Sequence, residues 1–582
     1  MLSVTDSIFE KLAFLYAHER GTACYQRLMT LLDGFRARFP HLSQHPPDPT
    51  ERVTERDVIL ITYGDSLQVP NHPPLDTLHR FLTTYLKNTI STVHILPFFP
   101  YSSDDGFSVI DYTAVNPDLG AWNHIDAVGR DFDLMFDAVI NHISSRSAWF
   151  QGFLAGDEAY QNFFITVDPS TDLSTVVRPR ALPLLTAFET SSGTRHVWTT
   201  FSSDQIDLNV ADPDMLLKII EVLLVYIEHG ATLIRLDAIA YLWKQIGTSC
   251  IHLPQTHAVV KLFRDILDYV APGVVLITET NVPHSENVSY FGDGTDEAQL
   301  VYQFTMPPLL LHTFSTGDAT AFSDWAASLE KVSDQTSFFN FTASHDGIGV
   351  RPVEGILSPD EVAALVSRVQ QHGGDVSFKT NADGTRSPYE LNINYFDALS
   401  NPSGDDSLDV QAQRFVAAQA IQLAFVGVPG IYIHSLLGSR NWNEGVSLTG
   451  RLRSINREKL DLSEVEAALD DPTSLRSRVF HAYRSLIDRR IAEKAFHPNA
   501  SQRVLRLHPS AVTLLRTSTD GSEHIVAIHN VSDQPITLDL AGVPLPDVRG
   551  YHDLVSGQEV EAHARLTVRP YQVLWLKASR SR

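Results

Sequence analysis

Eight short apolar runs, each followed by residues with helical spacing, constrain this chain more than any other feature. The runs are VILIT (58–62), VHILP (93–97), LMFDAVI (134–140), TLIRLD (232–237), VVLITE (274–279), LVYQF (300–304), FFNFT (338–342) and GIYIH (430–434). A strand covered on both faces reads as a continuous apolar run, and strand–helix alternation builds a parallel sheet. Eight such units predict an α/β chain closed into a (β/α)8 TIM barrel. The helix after the third run can be read in detail. Asp212 is a good N-cap, Pro213 suits the first helical position, and Gly230 suits the stop. Between them Leu216, Leu217, Ile219, Ile220, Leu223, Leu224 and Ile227 form a broad apolar face, as on a helix wrapped around a barrel.

The chain has 582 residues, too many for one compact domain. Residues 1–55 are expected to form a helical extension ending in the Pro-rich QHPPDPTERVTERD. The barrel then occupies 56–142, 212–347 and 401–495. It is interrupted by an inserted subdomain at 143–211 and by a loop-rich insertion over the site at 348–400, rich in Gly, Asp, Asn and Ser. From 496 to 582 short alternating runs (VLRLH, AVTLLRT, HIVAIHN, LTVRP, QVLWLK) predict a small all-β C-terminal domain. The extension is expected to cover barrel surface or to make a subunit contact, so a homodimer stays open.

With 69 acidic and 45 basic residues the formal net charge is −24. Nucleic acid and anionic membranes require a basic face, so neither is an expected partner. An anionic substrate would be repelled at long range and would need local arginines. Cys24 and Cys250 are the only cysteines, which leaves no disulfide framework or thiolate metal site. No run reaches the roughly 18 apolar residues of a membrane span. The N-terminus lacks a signal-peptide pattern. A cytoplasmic protein is expected. No HExxH or similar spacing and no dinucleotide fingerprint is present, and GDGTDE (292–297) reads as a turn, so neither metal nor cofactor is expected.

Catalytic residues of such barrels gather at the C-terminal ends of strands. The third run leads to Asn141 and His142, the fourth ends Arg235-Leu236-Asp237, the fifth ends Thr278-Glu279, and the seventh leads to His345 and Asp346. A single RLD is ordinarily an ion pair, and a single HD a capped turn. Their joint occurrence at successive strand ends points to one mouth lined by three carboxylates, two histidines and an arginine. Asp237 and Glu279 are then the candidate pair for covalent and acid–base work.

DAVINH (137–142), IRLDAIAY (234–241), ITETN (277–281) and ASHDGIGV (343–350) resemble the four conserved segments of the α-amylase superfamily, glycoside hydrolase family 13. LITYGDSL, VHILPFFPYSSDDGFSVIDY, RPRALP, VWTTFSSDQIDLN and PPLLLH narrow the resemblance to its sucrose-phosphorylase branch, from about residue 56 to 490. The N-terminal helical segment, HLPQTH, TETNVPHSENVSYFGDG and SPYELNINYFDAL resemble the glucosylglycerate-phosphorylase subgroup. This resemblance implies a retaining glycoside phosphorylase acting on an α-glucoside, inorganic phosphate and glycerate. It implies Asp237 as nucleophile, Glu279 as acid/base and Asp346 as transition-state stabiliser, with Arg235 keeping Asp237 ionised. It implies Asp104 and Arg453 gripping distal sugar hydroxyls, His142 and His345 donating to the same sugar, and Phe107, Phe201, Tyr241 and Gln205 walling the pocket. The aromatics are equally accounted for by packing at the barrel mouth.

On the phosphate and acceptor side the resemblance points to Arg178, Arg180 and Tyr389. A carboxylate acceptor adds the need for a cation, for which Arg386, Arg351 and Lys379 are candidates. Glu390 stands where sucrose phosphorylases have a glutamine, which puts sucrose recognition in doubt. The competing readings are sucrose phosphorylase, sucrose 6'-phosphate phosphorylase, a plain α-glucosidase, and an inactive sugar-binding barrel.

Overall fold

The computed structural model describes residues 3–44, 47–179, 182–380 and 385–580. Eight parallel strands close into the barrel, and each of the eight apolar runs supplies one. They are β1 (Ile59–Thr62), β2 (Thr92–Ile95), β3 (Asp133–Ala138), β4 (Ala231–Leu236), β5 (Val275–Thr278), β6 (Leu300–Tyr302), β7 (Ser337–Asn340) and β8 (Val428–Tyr432). Their order around the wall follows the chain, and β1 pairs with both β2 and β8 to close it. Every residue of β1, β2, β5, β6, β7 and β8 is buried, which is why these strands lack polar alternation.

Helix α2 (Pro213–Glu228) begins as its sequence predicts. The Asp212 carboxylate accepts the Asp214 N–H at 2.9 Å, Pro213 opens the first turn, and Gly230 takes a φ of 85° beyond the end. The N-terminal segment α1 (Val4–Arg38) is a helix doubled back at Ala17, whose φ of 61° breaks the helical path. Gly21 permits the fold-back, because a Cβ there would lie 2.7 Å from the Leu12 carbonyl oxygen. The buried stripe Ile8, Leu12, Leu15, Leu28, Leu32 and Phe35 packs on α2 and on α3 (Pro254–Val270). Tyr16 donates to the Val210 carbonyl at 2.7 Å, and Lys11 pairs with Asp265 at 2.6 Å. The extension therefore covers barrel surface.

The insertion expected to be loop-rich has regular structure. Helix α4 (Pro359–Gln371) starts in a capping box formed by Ser358 and Glu361. An antiparallel hairpin follows, Asp375–Thr380 with Arg386–Asn392, and its second strand also pairs with Ile348–Gly349 just after Asp346. Leu365, Val369 and Leu391 are buried in the main core, and the backbone ladder adds to that packing. In the C-terminal region Ser501–Leu505, Ala511–Thr517, His524–Asn530, Val573–Arg580, Val548–Asp553 and Glu559–Glu561 form one six-stranded antiparallel sheet. Among the described residues no helix is long and apolar enough to cross a membrane.

Candidate active site

The β-ladder runs on into the site. The Asp237 N–H donates to the Ala138 carbonyl at 3.2 Å and the Glu279 N–H to the Leu236 carbonyl at 3.1 Å. Asp237 and Glu279 thus stand at adjacent strand ends. Arg235, two residues before Asp237 and on the same side of β4, fills the space below them. Its Nη1 reaches Asp237 Oδ1 at 2.8 Å and also Asp137, and its Nη2 lies 3.9 Å from Glu279 Oε2. Asp137 is held in turn by His94 Nε2 at 2.7 Å. The guanidinium is 2% exposed and faces the rings of Tyr302 and Phe107 at 5.3 and 5.7 Å. Ala238 adopts φ 47° and ψ 31°, a conformation costly for a residue with a Cβ. It turns its N–H onto Glu279 Oε2 at 3.0 Å and so fixes that carboxyl.

Burial sets the protonation of this pair. It outweighs Arg235 at Asp237, where Glu279 and Asp137 add repulsion, and pushes that carboxyl up to about 8. Burial also raises Glu279, opposed by Arg235 and the Ala238 N–H. The two buried carboxyls repel one another and titrate together. Asp237 has the nearer guanidinium contact, 2.8 Å against 3.9 Å for Glu279, and so the stronger pull toward the ionised form a nucleophile needs.

Asp346 sits across the mouth in a net of cations. Arg453 Nη1 reaches its Oδ1 at 2.5 Å and Arg457 Nη2 lies at 3.6 Å. Burial opposes its ionisation, but the Arg453 and Arg457 guanidiniums hold the carboxyl far below the usual range. His345 stacks on Phe107 with centroids 4.8 Å apart, and its Nδ1 is buried with no hydrogen-bond partner among the described residues. Burial depresses His345 to about 3 and His142 to about 4, so both rings are neutral.

Of the residues singled out in the sequence, Asp237, Glu279, Asp346, Arg235, His345, Phe107, Arg453 and Glu390 meet in this mouth. Phe201 stands edge-on to Tyr241 at 5.5 Å and near His142 at 5.3 Å. Gln205 donates to Asp104 at 3.3 Å and to the Phe107 carbonyl at 3.1 Å. His142 Nε2–H donates to the Phe107 carbonyl at 2.9 Å and so braces the aromatic wall. Arg453 is gripped by Asp346 and Glu390, and two further guanidiniums close on Asp105, Arg457 at 2.5 Å and Arg451 at 3.3 Å. Glu390 is buried, with both oxygens on Arg453. Lys379 pairs with Glu354 at 3.4 Å, Arg386 lies over Phe378 at 4.9 Å, and Arg178 is exposed. Arg180 lies outside the described residues.

Sequence reasoning missed Arg457, Asp105, Asp137, His94, Tyr302 and Lys244. Lys244 is buried against Asp207 at 2.7 Å and donates to Asn141. Arg457 closes the RSINR motif and Asp105 adjoins Asp104, so both were within reach. Tyr302 and His94 read as ordinary strand residues.

Fold and carboxylate arrangement together define a barrel enzyme of the alpha-amylase type. The family model described as alpha amylase, catalytic domain, matches residues 83–351. Over 575 residues the chain is 50% identical to a glucosylglycerate phosphorylase of Allomeiothermus silvanus, covering 98% of each. It is 33% identical to a sucrose phosphorylase of Agrobacterium vitis over 72% of this chain and 85% of that one. The solved sucrose 6F-phosphate phosphorylase of Thermoanaerobacter thermosaccharolyticum superposes with a TM-score of 0.72 at 26% identity, covering 88% of this chain and 98% of that one. The chain belongs to the alpha-amylase family and, within it, to the glucosylglycerate phosphorylase group, with sucrose phosphorylases as more distant relatives.

Proposed function

We propose that this enzyme reversibly converts 2-O-α-D-glucosylglycerate and phosphate into α-D-glucose 1-phosphate and D-glycerate, with retention, by double displacement. One observation carries the reading: the Arg235-held Asp237 stands beside Glu279 in a chain half identical, end to end, to a phosphorylase of that name.

Asp237 attacks the anomeric carbon while Glu279 gives its proton to the departing glyceryl oxygen, and a glucosyl ester forms. Phosphate then enters, Glu279 takes its proton, and the ester bond to Asp237 breaks to give α-glucose 1-phosphate. Asp346 receives sugar hydroxyls as the ring flattens, and the neutral His345 donates through Nδ1 without placing a second cation beside the oxocarbenium ion. Phe107, Phe201 and Tyr241 wall the ring from water. We assign the glycerate carboxylate to Arg351. Its Nε is buried without a hydrogen-bond partner among the described residues, and its charge acts on Tyr241 and His252. Arg178 and Arg180, with Tyr389, are assigned to the phosphate side. We place the reaction in the cytoplasm, where its two free, buried cysteines would stay reduced.

The test is phosphate release from α-glucose 1-phosphate with D-glycerate, fructose, fructose 6-phosphate, glycerol or water as acceptor. Release strongest with D-glycerate is expected. Release strongest with fructose or its phosphate would overturn the acceptor assignment, and release with water alone would make the enzyme a glucosidase.

A further inference from the structure

Glu390 is buried at the base of the acceptor hairpin. Its Oε1 accepts from Arg453 Nε at 3.0 Å and its Oε2 from Nη2 at 2.6 Å, a two-pronged fit of carboxylate to guanidinium. The remaining arm of Arg453, Nη1, makes an ion contact with Asp346 Oδ1 at 2.5 Å, without the alignment of a hydrogen bond. One guanidinium therefore joins a hairpin residue to the carboxylate that faces the sugar. Asp346 in turn lies 3.6 Å from Arg457, which is anchored on Asp105. The strand carrying Glu390 is stitched to the Asp346 segment by backbone pairing, Gly349 with Glu390 and Ile348 with Leu391. Gly347 makes the approach possible, because a Cβ there would lie 2.6 Å from Glu390 Cγ and 2.6 Å from the Leu391 oxygen.

We propose that Glu390 is a positioning residue: by holding two arms of Arg453 it orients the third on Asp346 and keeps the donor pocket one negative charge richer. Two physical arguments support this. A planar guanidinium clamped along one edge cannot swing, so its charge is held at a fixed place against Asp346. The charges also sum in favour of the reaction. Glu390, Arg453 and Asp346 together carry one net negative charge, which favours a transition state whose ring carbon becomes cationic. With a neutral side chain at 390 the sum is zero, and Arg453 draws on Asp346 unopposed, competing with the sugar hydroxyls. The effect falls on the transition state more than on the bound ground state, so it belongs in kcat. The carboxylate at 390 is thereby withdrawn from the acceptor, and glycerate is left to Arg351.

This inference rests on the role of Asp346 given above, and its test is chosen to be independent of the acceptor. α-D-Glucosyl fluoride with phosphate reports glucosyl transfer through fluoride release. Its leaving group needs no proton, so acid catalysis by Glu279 drops out. The variants are E390Q and E390D, with thermal unfolding recorded for each. E390Q is expected to lower kcat at least tenfold with KM within threefold of wild type. E390D, which restores the charge, is expected to recover at least a third of the loss on a logarithmic scale. E390Q within twofold of wild-type kcat would overturn the proposal, as would E390D no better than a well-folded E390Q. Should E390Q fold poorly, R453K takes its place: it keeps the charge but loses the fork, and an unchanged kcat would likewise refute the idea. Wild-type enzyme that transfers no glucosyl group from fluoride to phosphate would instead sink the phosphorylase reading.

Discussion

Burial makes Asp237 costly to keep charged. Burial and two neighbouring carboxylates raise it to about 8, against an ordinary value near 4. A carboxyl raised in the folded state binds more protons than its unfolded counterpart. Its contribution to stability is therefore fully present below pH 4 and is lost as pH climbs through 8. Asp237→Asn removes that penalty. Its melting temperature is expected to equal wild type at pH 4 and to exceed it by on the order of 1–2 °C at pH 8.5, read by calorimetry. The same variant loses the nucleophile, so kcat should fall by roughly four orders of magnitude or more. Near-normal turnover would refute the double displacement. Glu279 gives a second expectation. A proton must sit on it for the glyceryl oxygen to leave, so kcat/KM for the glucoside should fall on the alkaline side as that proton is lost. In Glu279→Gln the alkaline limb should vanish from whatever activity remains, and a variant retaining the wild-type limb would assign the acid elsewhere.

At the scale of elements, what was legible depended on the reach of the signal. The barrel strands announce themselves because burial on both faces leaves no polar position, and α2 because Asp212, Pro213 and Gly230 mark its ends. Asp237, Glu279 and Asp346 were legible because strand ends of a barrel face one mouth. Helix α4 was also written in the sequence, as Ser358-Pro359-Asp360-Glu361, but the polar residues around it read as loop. The grip of Glu390 on Arg453 spans 63 residues and joins a hairpin to the loop after β8, a contact no local pattern encodes. The same reasoning separates stability from function in α1. Leu28 is fully buried on the barrel flank, so Leu28→Ala should cost about 2–4 kcal/mol by urea unfolding and leave kcat within twofold. Gly347→Ala, by contrast, drives a methyl into Glu390 and the Leu391 carbonyl. It should lose more kcat than stability.

For the molecule as a whole, the net charge of −24 sets a conflict that its substrates must resolve. Phosphate, glycerate, glucosylglycerate and α-glucose 1-phosphate are all anions, and all approach through a repelling field. That field is summed over charges spread across the whole surface, so most of it acts beyond a Debye length, about 8–10 Å at physiological salt, and is screened away. The attraction that rewards arrival is local, acting over a few ångström, and salt weakens it less. The two terms therefore respond differently to ionic strength, and the long-range one should change more between 10 and 150 mM inert salt. The expected outcome is a rise in kcat/KM for α-glucose 1-phosphate over that range, carried by KM, with kcat constant. α-Glucosyl fluoride is neutral and supplies the internal control: its kcat/KM, taken in the glucosyl-transfer step, should stay flat. A fall for the anion would mean that the local arginines govern approach as well as binding, with the acidic surface electrostatically remote from the mouth.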